Sequence, residues 1–391
     1  MVIPLLIPYR RAKRLLLRAG GIEGAGYRPN RLNSVARHGY CRKGESIALA
    51  TTNKSISIGQ VEVAPGTRTI VDLPVADLYT HTRLTMPVHV VNGRRAGPTV
   101  FLTAAIHGDE LNGVEIINRV LKLSAVKRLR GCLLAVPVVN VFGFLNQSRY
   151  LPDRRDLNRV FPGRERGSIA ARLAHLVASE IVDKADLGID LHTGAIDRTN
   201  LPQIRADLSD PETLRLAEIF GSPVVVDAEL REGSLRHYAA AKGIRMLLYE
   251  SGEALRFDEL SIAAGVRGVA RVLRAVGMFR AKVRSKVPIA PVRTNMTTWV
   301  RAPVSGIVRT TCLLGQKVEQ GQILATVSDP FGEVEFDVLA SVSGIVIGRS
   351  TSPLTHEGDA LFHLARFDNT RQAKAAVDDF QEMHAVGSEW G

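Results

Sequence analysis

The chain has 391 residues and a mass of 42.6 kDa, which is long for one ordinary domain, so two or three folded units are expected. Hydrophobic residues make up 45% and charged residues 23% of the sequence, a balance that excludes a chain disordered throughout. The formal net charge is +12, but residues 1–50 alone carry a net +8, and residues 280–298 contain five cationic residues and no acidic one. The remaining chain is close to neutral, which argues against a general polyanion-binding protein.

Cysteine usage and hydropathy favour a cytoplasmic protein. Cys41, Cys132 and Cys312 are too widely spaced for a disulfide framework or a Cys-x-x-Cys metal pair, so reduced thiols are expected. No apolar run approaches the roughly 18 residues that cross a bilayer. At the start of the chain the apolar stretch precedes the basic residues, the reverse of a secretory signal. Residues 1–56 are therefore predicted to be a poorly ordered basic extension, with a membrane or RNA tether as the alternative.

Short apolar runs alternate with stretches of helical spacing between residues 57 and 279, which predicts a sheet wound with helices. Such runs, bounded by turn residues, indicate strands that are buried on both faces. The predicted strands are Thr99–Ile106, Cys132–Val139, Leu187–Leu191 and Met246–Tyr249. The predicted helices cover about 110–123, 168–183 after a Ser168 cap, a segment from Pro211 after an Asp210 cap, and 257–278.

A near-repeat follows in the C-terminal part, where Ala302–Val308 recurs as Ala340–Val346. Two short-stranded halves with glycine at the turns predict a small all-β barrel-sandwich over residues 299–366. This unit resembles biotinyl/lipoyl carrier domains. Those domains present a modifiable lysine between the halves, but here that turn is Asp329–Gly332, so a structural or lid role is expected instead.

Two segments are predicted to be irregular. Residues 280–298 are basic and contain two prolines, which is typical of a linker at a domain boundary. Residues 367–391 are expected to be a frayed tail.

Candidate metal ligands lie where predicted buried strands end. His107-Gly-Asp-Glu110 follows one such strand, and His192 follows another. Because ligands collect at the carboxyl ends of strands in a wound sheet, the three side chains are expected to converge. Two imidazoles and one carboxylate with an open fourth position form the catalytic zinc arrangement. Asp190 shares a strand face with His192 and either orients a zinc histidine or simply ends the strand.

An arginine-rich loop lies between these motifs, from Arg149 to Gly163. Such a run is usually a solvated surface loop. Here the adjacent pair Asn158-Arg159 favours recognition of a substrate carboxylate, because a guanidinium fork matches that group with two parallel hydrogen bonds.

Four motifs together resemble the succinylglutamate desuccinylase/aspartoacylase family of zinc carboxypeptidase-like hydrolases, over about residues 57–280. They are HGDE at 107–110, DLNR at 156–159, DLHTG at 190–194 and the strand-end Glu250. The resemblance implies a zinc-carboxypeptidase-like mixed sheet flanked by helices, and the β-rich appendage also fits members of that family.

The resemblance further implies a role for each matching residue. One zinc ion per chain, held by His107, Glu110 and His192, lowers the pKa of a water molecule and polarises the scissile carbonyl. Glu250 is the general base. The remaining roles are stabilisation of the oxyanion by Arg149, with Arg154 or Arg155 as alternatives, and binding of the substrate carboxylate by Asn158 and Arg159.

The sequence thus predicts a cytoplasmic zinc amidohydrolase for a small N-acylated, carboxylate-bearing substrate, with no nucleic-acid or membrane partner and possible homo-oligomerisation. The alternatives are a metallocarboxypeptidase that acts on short peptides and a catalytically silent zinc- or ligand-binding relative. A nucleic-acid binder is disfavoured because aromatic residues, which stack on bases, make up only 5% of the chain.

Overall fold

The structure is a computed structural model that describes residues 52–280 and 290–385. Most of the predicted basic extension, residues 1–51, lies outside the described residues. The same holds for residues 281–289 of the predicted linker and residues 386–391 of the predicted tail. Among the helices of the described ranges, none combines the length and apolar content needed to cross a bilayer.

The strands and helices are numbered in chain order. The strands are β1 (Ile56–Ile58), β2 (Val61–Val63), β3 (Thr67–Asp77), β4 (Arg83–Asn92), β5 (Arg95–Ala104), β6 (Arg130–Val136), β7 (Leu187–Gly194), β8 (Arg198–Ala206), β9 (Val224–Asp227), β10 (Arg245–Glu253), β11 (Val292–Thr294), β12 (Thr297–Arg301), β13 (Gly306–Thr310), β14 (Lys317–Val318), β15 (Ile323–Ser328), β16 (Glu335–Leu339), β17 (Gly344–Ser350), β18 (Leu354–Thr355) and β19 (Ala360–Ala365). The helices are α1 (Asn112–Lys122), α2 (Val141–Leu145), α3 (Ile169–Glu180), α4 (Pro211–Phe220), α5 (Leu235–Ala241), α6 (Glu259–Ala275) and α7 (Thr370–Ala385).

A mixed 13-stranded sheet organises the described residues. Its main path runs β12-β19-β17-β8-β10-β7-β5-β6-β4-β3. The centre of the path, β10-β7-β5-β6, is parallel, and the flanking pairs β8–β10, β4–β6 and β3–β4 are antiparallel. Every residue of β7 is buried, as expected for a strand covered on both faces.

Helices cover both faces of this sheet and enclose two hydrophobic cores. One core includes Ile117 of α1, Phe220 of α4 and Val269 of α6, and the other includes Leu173 of α3 and Leu235 of α5. The predicted caps are confirmed, because the Ser168 side chain accepts a hydrogen bond from the Ala171 amide at 3.2 Å and Asp210 accepts one from Thr213 at 3.0 Å. These caps fix where α3 and α4 begin.

The C-terminal region is all-β until α7, and its strands belong to two sheets. The four-stranded sheet β16-β15-β13-β18 faces the strands that extend the main sheet, and a core that contains Leu324 and Phe362 lies between them. The predicted fold class, a mixed sheet flanked by helices with a C-terminal all-β region, is confirmed. β17 pairs antiparallel with β8, so this region continues the sheet that carries the central strands.

Two expectations about irregular segments are wrong for the residues described. Within the predicted linker, Val292–Thr294 forms β11 and pairs parallel with β9, and β12 begins at Thr297. Within the predicted frayed tail, residues 370–385 form α7, because Ala373, Val377 and Phe380 recur at helical spacing and are buried. Both elements are stabilised by packing against distant parts of the chain.

Candidate active site

The carboxyl ends of three neighbouring parallel strands bring the candidate residues together. His107 and Glu110 lie in the turn after β5, where the Glu110 amide donates to the His107 carbonyl at 3.1 Å. His192 lies near the end of β7, and Glu250 of β10 is its register partner on the adjacent strand. These side chains therefore lie together at one edge of the sheet, where the positions of the strand ends predicted them.

His107, Glu110 and His192 form a buried group whose ligand atoms all lie within 4.8 Å of one another. Both Glu110 oxygens are engaged, Oε1 at 2.7 Å from His107 Nδ1 and Oε2 at 2.8 Å from His192 Nδ1. Burial alone would raise the pKa of Glu110, but the two adjacent histidines lower it well below its usual range. Glu110 is therefore a carboxylate at neutral pH, as a metal ligand must be.

Each histidine also contacts a second carboxylate through its other ring nitrogen. His192 Nε2 lies 2.7 Å from Asp190 Oδ2, and Asp190 in turn accepts a hydrogen bond from the Thr103 hydroxyl at 2.7 Å. His107 Nε2 lies 3.1 Å from Asp156 Oδ1. Carboxylates in this position hold the ring so that the opposite nitrogen points at the metal. The donor set, two Nδ1 atoms and a buried carboxylate with supporting acids behind them, fits a divalent metal such as zinc.

Of the three arginines considered for the oxyanion role, the structure brings Arg149 to this group. Its Nη2 donates to Asp156 Oδ2 at 2.9 Å, and its Nη1 lies 3.4 Å from Glu110 Oε1. Burial alone would lower the pKa of Arg149, but Glu110 and Asp156 raise it. Arg155 is paired instead with Asp153 at 3.5 Å, and Arg154 is exposed and has a left-handed backbone conformation with φ 60°.

Asn158 and Arg159 lie in a short 3₁₀ turn, Leu157–Arg159, that is capped by the Asp156 side chain. The Asn158 amide oxygen accepts from the Leu235 amide at 2.9 Å, which leaves its NH₂ group as a donor. The Arg159 pKa is lowered by burial and by nearby Arg231 and Arg149. A bound anion would relieve this crowding of positive charge.

Glu250 is held on one side by two groups that the sequence patterns did not identify. Asn200 Nδ2 donates to Glu250 Oε2 at 3.2 Å, and Arg205 Nε lies 3.3 Å from the same oxygen. Both residues come from β8, the antiparallel neighbour of β10. Nothing in the spacing of the motifs marks β8, so sequence reasoning could not have found them.

The candidate metal ligands line a cavity of about 890 Å³ together with Arg149, Asn158, Arg159 and Glu250. The wall of this cavity includes part of the C-terminal all-β region. From that region, Trp299 of β12 stacks on His363 of β19, with ring centroids 4.4 Å apart. The Arg198 guanidinium lies 4.7 Å from the Trp299 ring centroid, within cation–π range. Burial, together with Arg205 and Arg198, lowers the pKa of His363 to about 3, so its ring is neutral at physiological pH.

Known proteins resemble the chain in sequence and in fold. Residues 96–276 match the model of the "Succinylglutamate desuccinylase/Aspartoacylase catalytic domain". An "N-alpha-acetyl-L-2,4-diaminobutyric acid deacetylase" from Halomonas elongata is 27% identical over 294 residues, which cover 72% of this chain and 85% of that protein.

Two solved structures are similar over most of their length. A succinylglutamate desuccinylase/aspartoacylase from Rhodobacter sphaeroides has a TM-score of 0.68 and 26% identity, and the match covers 77% of this chain and 95% of that one. The product-bound ectoine utilisation protein EutE (DoeB) from Ruegeria pomeroyi has a TM-score of 0.69 and 26% identity, over 76% and 94% of the two chains. Together with the motifs and the fold, these matches show that residues 96–276 are similar in sequence and in fold to the catalytic domain of the succinylglutamate desuccinylase/aspartoacylase family.

Proposed function

We propose that this chain is a zinc-dependent amidohydrolase, with one zinc ion per chain, that removes the acyl group from a small N-acylated, carboxylate-bearing amino acid. The observation that carries the proposal is the buried group of His107, Glu110 and His192, which opens into the 890 Å³ cavity beside Glu250. The relative from Halomonas elongata, a deacetylase of an N-acetyl amino acid, supports the same reaction class.

Five side chains of the cavity are assigned a chemical task in amide hydrolysis. Zinc held by His107, Glu110 and His192 would supply a Lewis acid that polarises the amide carbonyl and lowers the pKa of water. Glu250, with Oε2 held by Asn200, is free at Oε1 to accept a proton from the attacking water and return it to the leaving nitrogen. The Arg149 guanidinium, the nearest cation to the ligand group, stabilises negative charge that develops on the carbonyl oxygen.

Substrate selection is assigned to two donors on the turn that Asp156 caps. The NH₂ group of Asn158 and the guanidinium of Arg159 can bind a carboxylate together, because both are donors on one short turn. This arrangement supports a substrate that carries a free carboxylate near the scissile amide.

The metal assignment is tested by metal analysis of purified protein. Wild-type chain should contain about one zinc per chain, and His192→Ala should lose it because a tridentate site cannot retain zinc with two ligands. His356→Ala, which removes an exposed imidazole outside the cavity, serves as the control and should keep the metal. Stoichiometric zinc in the His192→Ala protein would contradict the ligand set.

The reaction is tested by release of amine from N-acetyl and N-succinyl amino acids, with and without a chelator. Nα-acetyl-2,4-diaminobutyrate, N-acetylaspartate and N-succinylglutamate form the first panel, and short peptides with free carboxyl termini test for carboxypeptidase activity. Glu250→Gln should keep zinc and lose turnover by a factor on the order of 10² to 10⁴. Glu253→Gln, at the end of the same strand, should stay close to wild type. Turnover by Glu250→Gln close to wild type would remove Glu250 from the mechanism.

A further inference from the structure

A second concave site lies at the opposite end of the parallel strands. It is a groove of about 660 Å³ bounded by the turn between β4 and β5, the loop before β6, and the C-terminal end of α6. β5 starts here at Arg95 and β6 at Arg130, whereas His107 follows the far end of β5. We call this site the basic groove.

The groove is lined by cationic side chains and, among the described residues, by no Asp or Glu. Two of its cations, Arg68 and Arg130, donate to the backbone carbonyls of Leu121 and Ala96, each at 3.3 Å. The others make no hydrogen bond or ion pair through their side chains with any described residue. These are Arg94, Arg95, Lys127, Arg128, Arg274 and Arg280.

This convergence of like charge has an energetic consequence. Cations that face one concave space without counter-charge repel one another, and the repulsion is relieved only by water, salt or a bound anion. Some exposed arginines elsewhere on this protein pair with carboxylates, as Arg215 does with Glu212 at 2.7 Å and Arg245 with Asp210 at 2.7 Å, whereas the groove has no carboxylate in its described lining. The basic groove is therefore an electrostatic site for anions.

The shape and chemistry of the groove select among anions. Its volume suits a small molecule. Arginine, which predominates over lysine here, binds phosphate through two parallel hydrogen bonds. Phe279, the aromatic residue among the described lining residues, is only 3% exposed and presents no face on which a nucleobase could stack. These features favour a compact, highly charged phosphate compound over single-stranded nucleic acid.

We propose that the basic groove binds a small anion that carries two or more phosphoryl groups. The ligand bridges the turn at Arg94 and Arg95, the loop at Lys127 and Arg128, and the end of α6 at Arg274. The site is separate from the cavity that contains the His107 group and does not depend on the proposed hydrolase activity.

Isothermal titration calorimetry of the full chain with inorganic tripolyphosphate tests the proposal. The His192→Ala protein is titrated in parallel, so that chelation of zinc by the phosphate does not contribute to the heat. Saturable binding that weakens with added salt is expected in both proteins. Pyrophosphate and ATP, titrated next, distinguish a free polyphosphate from a nucleotide as the preferred source of the phosphoryl groups.

Variants locate the site. Arg94→Ala/Arg128→Ala should weaken tripolyphosphate binding by a factor on the order of ten or more, because two charge-assisted contacts are lost. Arg274→Gln, a milder change on a helix, should weaken it as well. Arg172→Ala, which removes an exposed arginine of α3, and Arg159→Ala, which removes a cation of the catalytic cavity, should leave the affinity unchanged.

Two results would overturn the proposal. One is no saturable binding of tripolyphosphate at millimolar concentration in low salt. The other is binding that Arg159→Ala abolishes and the folded groove variants retain, because the anion would then occupy the catalytic cavity. Melting temperatures of the variants show whether they are folded.

Discussion

The two histidines of the proposed metal centre differ in how the chain supports them. Asp190, which supports His192, lies two residues away on the same strand and was recognised in the sequence, although with a second role left open. Asp156, which supports His107, comes from a loop 49 residues further along the chain. It also receives hydrogen bonds from Arg149 and from the Asn158 amide. One carboxylate thus contacts a proposed metal ligand, the proposed oxyanion arginine and the turn proposed to bind substrate.

We predict that Asp156→Asn weakens zinc binding by about 10- to 100-fold, because the amide supports the His107 ring less strongly than a carboxylate does. Competition with a chelator of known affinity measures the effect. Asp153→Asn is the control, since Asp153 lies in the same loop and contacts neither His107 nor Arg149. Equal zinc affinity in Asp156→Asn and wild type would show that His107 is oriented by other contacts.

A second residue-scale prediction concerns His363, whose folded pKa of about 3 lies below the 6.5 of an unfolded histidine. The folded state therefore binds fewer protons, and stability falls as the pH drops from about 6.5 towards 3. At pH 5 this single group removes about 2 kcal/mol of stability relative to neutral pH. Chemical denaturation between pH 7 and 5 should show a steeper loss for wild type than for His363→Gln. Parallel pH profiles would mean that His363 titrates normally.

At the scale of elements, the sequence predicted what local patterns determine. The caps Ser168 and Asp210, the buried run of β7 and the strand-end position of His192 follow from residues close in sequence. β11, a three-residue strand, carries too short an alternation to predict, and it is stabilised by pairing with β9 almost 70 residues earlier. The contacts of Asn200 and Arg205 with Glu250 depend on which strand pairs with β10, and no local pattern encodes this.

The junction between β17 and β8 links the all-β region to the proposed base. Gly348 of β17 is the register partner of Asn200, and a Cβ atom at Gly348 would lie 2.7 Å from the Asn200 side-chain oxygen. Because Asn200 donates a hydrogen bond to Glu250, a small change in the appendage can reach the proposed base. The all-β region therefore packs against the strand that holds the proposed base, and it also forms part of the cavity wall.

We predict that Gly348→Ala lowers kcat by about tenfold, since the added methyl group displaces Asn200 and small misplacements of catalytic groups are costly. Overpacking at this site should also cost about 1–3 kcal/mol of stability. Steady-state kinetics of Gly348→Ala, Asn200→Ala and the double variant test whether the added methyl group acts through Asn200. If the methyl group acts through Asn200, the double variant is no slower than Asn200→Ala alone. Additive losses would point to a different route, for example through His363.

At the scale of the whole molecule, the distribution of charge in space differs from its distribution along the chain. By sequence segment, the chain outside residues 1–50 and 280–298 is close to neutral. In the structure, cations about 180 residues apart, such as Arg94 and Arg274, converge on the basic groove. A count of charges along the chain cannot show this convergence. An acidic residue that balances a nearby arginine in the sequence can lie on a different face of the folded protein. The near-neutral body thus contains two separate clusters of cations, which line a cavity or groove at each end of the parallel strands.

Residues 1–50 carry a net +8, and the described residues that line the proposed catalytic cavity lie between positions 107 and 363. We predict that a chain that lacks residues 1–50 has a lower isoelectric point and retains kcat and KM within about twofold, because the described residues already supply every group assigned to the proposed reaction. The comparison uses steady-state kinetics on the substrate found in the acyl-amino-acid panel, at two ionic strengths. Equal melting temperatures of the two chains would confirm that folding is intact. The prediction would be wrong if the truncated chain had a much lower kcat/KM than the full chain at both ionic strengths. The basic segment would then be needed to attract or hold the anionic substrate, and its charge would contribute to the function.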